Sequence, residues 1–341
     1  MPGQAIIVVG ASTGGVEALL TLAGVLPPDL PAAVLVVLHT SAHPSALPRL
    51  LSRRGPLPAN QATDGAPLQP GRIYVAPADH HLLVARGHMH VEQGPQEHGF
   101  CPAVDPLFHS AAETYGPQVI GVILSGHLDD GTAGLLAVKR HGGVAVVQDP
   151  DEAFAPGMPR SALAYVAVDY TLPLASMGPL LGRLAAAVAA GAEHRPDDTP
   201  ETAAADHGGL DVTDGGAGTP APFSCPACGG VLSEIRDGGL VRFRCQVGHQ
   251  FSPESVAADQ QAALGHTLWR AWTALNERVL LLQRLARDAG RRRDGRARRR
   301  FEAQARAAEV QKEQMHQVLR AVTDAGDDTG DERPPHDEAR L

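Results

Sequence analysis

Aromatic residues, lysine and cysteine are scarce in this sequence, and each scarcity narrows what the chain can be. Only 4% of its 341 residues are aromatic while 43% are hydrophobic, so the interior must be built from Ala, Val, Leu and Ile. That composition suits helices laid closely on a parallel sheet. No run reaches the roughly 18–20 uncharged apolar residues that a bilayer span takes, so membrane insertion is not expected. The formal net charge of −9 gives no overall basic field of the kind that recruits nucleic acid. The N-terminus lacks a basic n-region and a cleavage pattern, so no signal peptide is read and the expected compartment is the cytoplasm. The four cysteines, Cys101, Cys225, Cys228 and Cys245, are too few for a disulfide framework. Three of them gather near His249, which reads as one metal site plus one lone thiol.

At this length one core does not absorb the whole chain, and two to three domains are expected. From Ala5 onward, short β-branched runs alternate with Ala/Leu-rich helical patterns. The strand candidates are Ala5–Val9, Ala33–Leu38, Arg72–Ala76, Val119–Leu124 and Val144–Val147, with a hairpin over His81–Ala85 and His88–Glu92 turning at Arg86-Gly87. Helices are expected over Val16–Gly24, Ser45–Arg53, Val104–Tyr115, Thr132–His141, Pro159–Tyr165 and Met177–Ala190. The predicted fold is therefore α/β, a mostly parallel, doubly wound (Rossmann-like) sheet flanked by helices in a first domain over 1–190. A Gly/Pro-rich stretch with seven acidic residues reads as a flexible linker over 191–222. A compact Cys/His unit follows at 223–252, then a helical hairpin or short coiled coil at 253–323 and a disordered acidic tail at 324–341.

The first strand runs straight into Gly10-Ala11-Ser12-Thr13-Gly14-Gly15. A strand–turn–helix junction at the C-terminal edge of a parallel sheet is where such folds place ligands, and the segment satisfies the G-x-S-x-G nucleophile pattern. On its own it is equally a phosphate-binding turn. A dinucleotide site would want G-x-G-x-x-G and an acidic residue after the second strand, and the second strand ends instead in His39. The Tyr-x-x-x-Lys pair of short-chain dehydrogenases is excluded by the lysines, which occur only at 139 and 312. His39 has the chemistry of a general base, and an aspartate from Ser125-Gly126-His127-Leu128-Asp129-Asp130-Gly131, at the same sheet edge, could orient it. Asp129 and Asp130 are equally read as caps of the helix that follows. The order Ser, His, Asp and a serine after the first strand weigh against the α/β-hydrolase fold.

These stretches, with Pro70–Pro77, Pro102–Ser110 and Gly157-Met158-Pro159-Arg160, resemble the catalytic domain of the CheB-type chemotaxis protein-glutamate methylesterases over about Ala5–Ala190. The resemblance implies Ser12 as nucleophile, His39 as base and Asp130 as the orienting carboxylate. It also implies oxyanion or substrate contacts from Thr13 and the His127–Leu128 region, and no cofactor for catalysis. Two departures stand out. His127 and Leu128 occupy positions where the family usually carries methionine and then glycine, and the phosphoacceptor receiver domain has no counterpart ahead of the first strand. The implied activity is demethylation of γ-glutamyl methyl esters, with possible glutamine deamidation, on a methylated chemoreceptor-like protein. The competing expectation is a catalytically weak scaffold that binds partners through the α/β domain, the Cys/His unit and the helices.

Cys225-x-x-Cys228 and Cys245-x-x-x-His249, joined by a hairpin-like segment, have the ligand types and spacing of a structural zinc site in a zinc-ribbon-like unit. Two apolar stripes follow, Leu264-Leu268-Trp272-Leu275-Val279-Leu282 and Phe301 to Val322, as expected for paired helices that could carry a signalling partner. Trp269 and Trp272 are expected on their seam, and the arginines at 291–293 and 298–300 at the turn between them, facing solvent.

Overall fold

The computed structural model describes residues 4–39, 45–191, 218–237 and 239–327. The chain divides into two compact units, Met1–Val256 and Ala257–Leu341. The first opens with β1 (Ala5–Ala11), α1 (Gly15–Val25), β2 (Ala32–Leu38), α2 (Leu47–Arg54), β3 (Ala59–Gln61) and β4 (Arg72–Val75). The hairpin β5 (His81–Ala85) and β6 (His88–Glu92) and the helix α3 (Val104–Tyr115) come next. Then follow β7 (Val119–Ile123), α4 (Thr132–Arg140), β8 (Val144–Gln148), α5 (Gly157–Tyr165), β9 (Tyr170–Leu172) and α6 (Leu174–Ala189).

Seven strands form one parallel sheet in the order β3-β4-β2-β1-β7-β8-β9. All seven residues of β1 are buried, because both faces of the sheet are covered, and the period of two divides them. Ile7 and Val9 join Leu19, Leu22, Leu51 and Leu181 of α1, α2 and α6. Ile6 and Val8 join Phe108, Leu135 and Met158 of α3, α4 and α5. Each such aliphatic side chain contributes about 1.5–3 kcal/mol on burial. The doubly wound parallel fold is thus as expected. The edge strands β3 and β9, three residues each, escaped the sequence reading because so short a run carries no measurable period. The hairpin forms its own two-stranded sheet and does not extend the large one.

The same unit contains β10 (Thr219–Ser224), β11 (Val231–Asp237), β12 (Leu240–Cys245) and β13 (Gln250–Phe251), antiparallel in chain order around Leu232, Phe243 and Phe251. Residues 219–222, expected in the linker, belong to β10. Its prolines are admissible because β10 is an edge strand and its pairing with β11 is interrupted by a register shift. Linker residues 192–217 and the tail from 328 lie outside the described residues.

Two long helices follow, α7 (Pro253–Arg291) and α8 (Gly295–Asp327). In the second unit Val279 and Leu282 pack on Phe301, Ala305 and Ala308. The Asp294 carboxylate caps α8 by accepting the Arg296 and Ala297 N–H groups at 3.1 and 2.9 Å. Residues 324–327, expected in the tail, continue α8. Trp269 is 54% exposed and stacks on Trp272, so it lies off the seam on which it was expected.

Candidate active site

The parallel ladder brings three loops to one point. β1 and β2 pair to their last residues, Ala11 with Leu38. One residue further, His39 N–H donates to Ala11 O at 3.1 Å and Ser12 N–H to Ser125 O at 2.9 Å. The loops after β2, β1 and β7 therefore leave adjacent strands side by side, where the strand order reverses about β1. Doubly wound sheets open their ligand crevices at such switch points.

His39 spans the other two residues. Its Nδ1 is 3.1 Å from Ser12 Oγ and its Nε2 is 2.7 Å from Asp130 Oδ2. The His39 and Asp130 side chains are only 4% and 2% exposed. Asp130 sits at the N-terminus of α3, where its carboxylate also accepts Val104 N–H at 2.7 Å and Asp105 N–H at 3.1 Å. Burial alone would raise its pKa, but the His39 hydrogen bond, nearby charge on His98 and the Val104 N–H bring it down to about 2. An ionised carboxylate can only accept, so the imidazole proton resides on Nε2 and the Nδ1 lone pair faces the serine hydroxyl. The expected cap on the helix that follows, α4, is not formed by this carboxylate: the N–H groups it accepts belong to α3, and the same carboxylate meets His39. Asp129 accepts Ser252 Oγ–H at 2.8 Å through its side chain.

Glycines let the loops approach this closely. A Cβ on Gly10 would lie 2.4 Å from Val104 Cγ1, and one on Gly126 would lie 2.0 Å from Met158 Sδ and 2.9 Å from Ser12 Cβ. The buried Ser125 hydroxyl donates to Thr13 O at 2.7 Å and accepts Ala155 N–H at 2.9 Å, stapling the serine turn from behind. Gly126 N–H is bound to Ala155 O at 2.9 Å. Among the described residues, no protein acceptor takes the N–H of Thr13, His127 or Leu128. Leu128 has φ +59°, a left-handed conformation at the position where the resemblance leads one to expect glycine.

Sequence reasoning missed three neighbours. Ser125 was read only as part of a motif. Phe100 stacks on His39 with ring centroids 3.8 Å apart and planes 11° from parallel. Phe154, 80% exposed, lies over the serine turn, so that a Cβ on Gly14 would come within 2.6 Å of its own Cβ. The only signal for either phenylalanine was its rarity in an aromatic-poor chain.

Behind Asp130, buried His98 donates Nε2–H to Asp105 Oδ2 at 3.0 Å, and its ring nitrogens lie 4.0 Å from Asp130 Oδ1 and 3.9 Å from Asp129 Oδ1. Burial would strip its proton, but the three carboxylates hold its pKa up at about 10. Burial pushes Asp129 up to about 6, against the pull of His98 and Ser252.

In the Cys/His unit, the donor atoms of Cys225, Cys228, Cys245 and His249 all lie within 4.8 Å of one another. Cys228 Sγ and Cys245 Sγ are 3.7 Å apart, and His249 Nδ1 is 3.7 Å from Cys225 Sγ and 3.4 Å from Cys245 Sγ. Metal–sulfur and metal–nitrogen bonds of about 2.3 and 2.0 Å give tetrahedral edges of about 3.5–3.8 Å, so the set fits a tetrahedral ion. Two tight turns present these groups, with Gly229 and Gly248 at φ +73° and +108°. Each turn closes through a backbone bond, Gly229 N–H to Cys225 O and Gly248 N–H to Cys245 O.

A hydroxyl, an imidazole and a buried carboxylate hydrogen-bonded in series at a switch point form the constellation of a serine hydrolase. The CheB methylesterase family model matches residues 7–181, and the chain belongs to that family. A protein-glutamate methylesterase/protein-glutamine glutaminase of Anaeromyxobacter dehalogenans is 40% identical over 185 residues, 53% of this chain and 51% of the relative. One from Myxococcus xanthus is 42% identical over 173 residues, 50% of this chain and 48% of the relative. The crystal structure of the Thermotoga maritima CheB methylesterase catalytic domain is 34% identical with a TM-score of 0.51, and the match covers 53% of this chain and 98% of that one. The chain thus spans about half the length of the curated relatives it matches.

Proposed function

We propose that this chain is a protein-glutamate methylesterase that hydrolyses γ-glutamyl methyl esters on a chemoreceptor-like protein in the cytoplasm, and deamidates glutamine at equivalent positions. The observation that carries this reading is the unbroken hydrogen-bond series Ser12–His39–Asp130 within a domain of that family. Ser12 Oγ attacks the ester carbonyl while His39 Nδ1 takes its proton, and Asp130 stabilises the imidazolium. The N–H groups of Thr13 and of the His127–Leu128 segment receive the oxyanion. Collapse of the tetrahedral intermediate returns the proton to the departing methoxide, releasing methanol and leaving an ester between the glutamyl carbonyl and Ser12. Water, deprotonated by His39, then cleaves that ester to glutamate and free Ser12. With a glutamine side chain the leaving group is ammonia.

In this reading Cys225, Cys228, Cys245 and His249 hold one structural zinc ion, which cross-links the two turns of the Cys/His unit. The helices α7 and α8 offer a surface for a signalling partner. Methanol release from a methyl-esterified receptor fragment tests the activity, and equal release by Ser12→Ala would overturn it. The scaffold alternative predicts that a serine-directed phosphonate leaves Ser12 unmodified in folded protein; mass-mapped labelling at Ser12 excludes it.

A further inference from the structure

The Cys/His unit does more than follow the α/β domain, because it grips the loop that leads into the triad. Glu97 pairs with Gln250 as a parallel bridge, His98 N–H donates to Gln250 O at 2.7 Å, and Gln250 N–H reaches Gln96 O at 3.4 Å. The Gln250 side chain donates to Glu97 Oε1 at 2.9 Å. A Cβ on Gly248 would lie 2.9 Å from Pro95 Cγ, so the metal-ligand turn and the loop are in van der Waals register. At the end of the same unit Ser252 donates to Asp129 beside the catalytic carboxylate, and in the first turn of α7 Ser255 Oγ lies 3.4 Å from His98 Nδ1. Three residues past Glu97 the loop closes on itself, with Phe100 N–H donating to Glu97 O at 2.9 Å and Glu97 N–H to Phe100 O at 3.1 Å. That closure puts the Phe100 ring on His39.

We propose that the Cys/His unit positions the triad, with Phe100 as the positioning residue: by holding the loop at 95–98 it keeps the Phe100 ring against the His39 imidazole, fixing the plane in which that ring meets Ser12 and Asp130. The proposal rests on the esterase reading for its rate consequences alone. The bond to Cβ and the hydrogen bonds at its two nitrogens orient the imidazole only within the angular tolerance of those hydrogen bonds, and a flat ring stacked on one face narrows that range. An aromatic face also favours the imidazolium that forms as Ser12 is deprotonated. A small misplacement of a catalytic group costs of the order of 10–100-fold in rate.

The test uses the full chain and two lesions. Phe100→Leu removes the ring. Ser252 Oγ also accepts Ser255 N–H at 3.0 Å, capping α7; Ser252→Asp can keep that cap but sets a second carboxylate against Asp129, loosening the contact without touching a metal ligand, and if it does not fold, Ser252→Ala replaces it. The first readout is NMR. A proton above an aromatic face is shielded, so the His39 Cε1–H resonance, assigned by its loss in His39→Gln, moves downfield in both variants and returns in Phe100→Tyr. The second is kinetic: kcat falls about 10–100-fold with KM within about twofold, and Phe100→Tyr restores it. An unmoved resonance in the Ser252 variant overturns the coupling, and a moved resonance with unchanged kcat overturns the positioning role. If the wild-type chain releases no methanol, the esterase reading fails separately, while the resonance still decides whether the Cys/His unit holds Phe100 on His39.

Discussion

Replacing Asp130 by asparagine tests the triad with little change of shape. Oδ2 serves both His39 Nε2–H and Val104 N–H, and Oδ1 serves Asp105 N–H, so every direction the carboxylate faces contains a donor. An asparagine amide must turn its own NH2 toward one of them. With nitrogen at the Oδ1 position, Asp105 N–H loses its acceptor. With nitrogen at the Oδ2 position, Val104 N–H loses its acceptor and His39 is driven into the wrong tautomer, with Nδ1–H pointing at Ser12. Either orientation leaves one buried N–H unpaired, a cost of about 1–3 kcal/mol in stability. In both, the imidazolium formed during acylation loses its counter-charge. A unit-charge pair with centres about 4 Å apart at an effective dielectric constant of 20 is worth about 4 kcal/mol, and at 1.36 kcal/mol per decade that is about a thousandfold in kcat. The wrong tautomer adds to this, so the expected loss is about a thousand- to ten-thousand-fold. Methanol release and the rate of phosphonate labelling at Ser12, measured well below the melting temperature, report it. Retention of more than about a tenth of kcat by folded Asp130→Asn would refute the assignment of Asp130.

Four further outcomes are expected. Gly126→Ala forces its methyl between Met158 Sδ and Ser12 Cβ, lowering stability by about 1–3 kcal/mol and slowing Ser12 labelling, whereas displacement of Met158 alone would leave labelling untouched. Leu128, at φ +59°, tolerates glycine within about 1 kcal/mol, because relief of backbone strain offsets lost packing, while Leu128→Val costs more; denaturant melts rank the two. The pKa of His98 is raised from 6.5 to about 10, so its stabilising contribution is complete below pH 6.5 and is lost as pH rises through about 10. Thermal melts should fall across that window in the wild type and less steeply in His98→Gln. Purified chain should carry one zinc per molecule, and Cys225→Ser should abolish it and expose the Phe243–Phe251 cluster to dye binding; stoichiometry by elemental analysis decides.

Much of this was legible because periodicity and turn chemistry are local. The long apolar runs of β1, β2, β7 and β8 announced a sheet covered on both faces, and the bounds expected for α3 match the structure. Ser12 and His39 could be read because each follows a strand end, where the sheet itself fixes position. What could not be read depends on partners distant in sequence. Nothing local to Phe100 indicates that it stacks on a histidine 61 residues earlier, and the first part of β10, residues 219–222, looks like linker until its pairing with β11 is seen. His98 and Ser252 are unremarkable polar residues until the fold encloses them among carboxylates.

At Asp130 a cap on α3 and the proposed orienting role need not compete. A carboxylate placed at the N-terminus of α3 accepts otherwise unpaired helix N–H groups and meets the positive end of the helix dipole. The His39 hydrogen bond and the charge on His98 first, and the Val104 N–H after them, hold its pKa near 2, which keeps it an acceptor at any working pH and so dictates the tautomer of His39. In the proposed reaction, stability and reactivity therefore draw on one charge. A substitution that weakens the α3 terminus, such as one that displaces Val104 from Gly10, is expected to raise the Asp130 pKa and lower Ser12 reactivity together. The acid limb of the pH–rate profile would then move upward in step with the loss of stability, and a destabilised Val104 variant with an unmoved limb would separate the two roles.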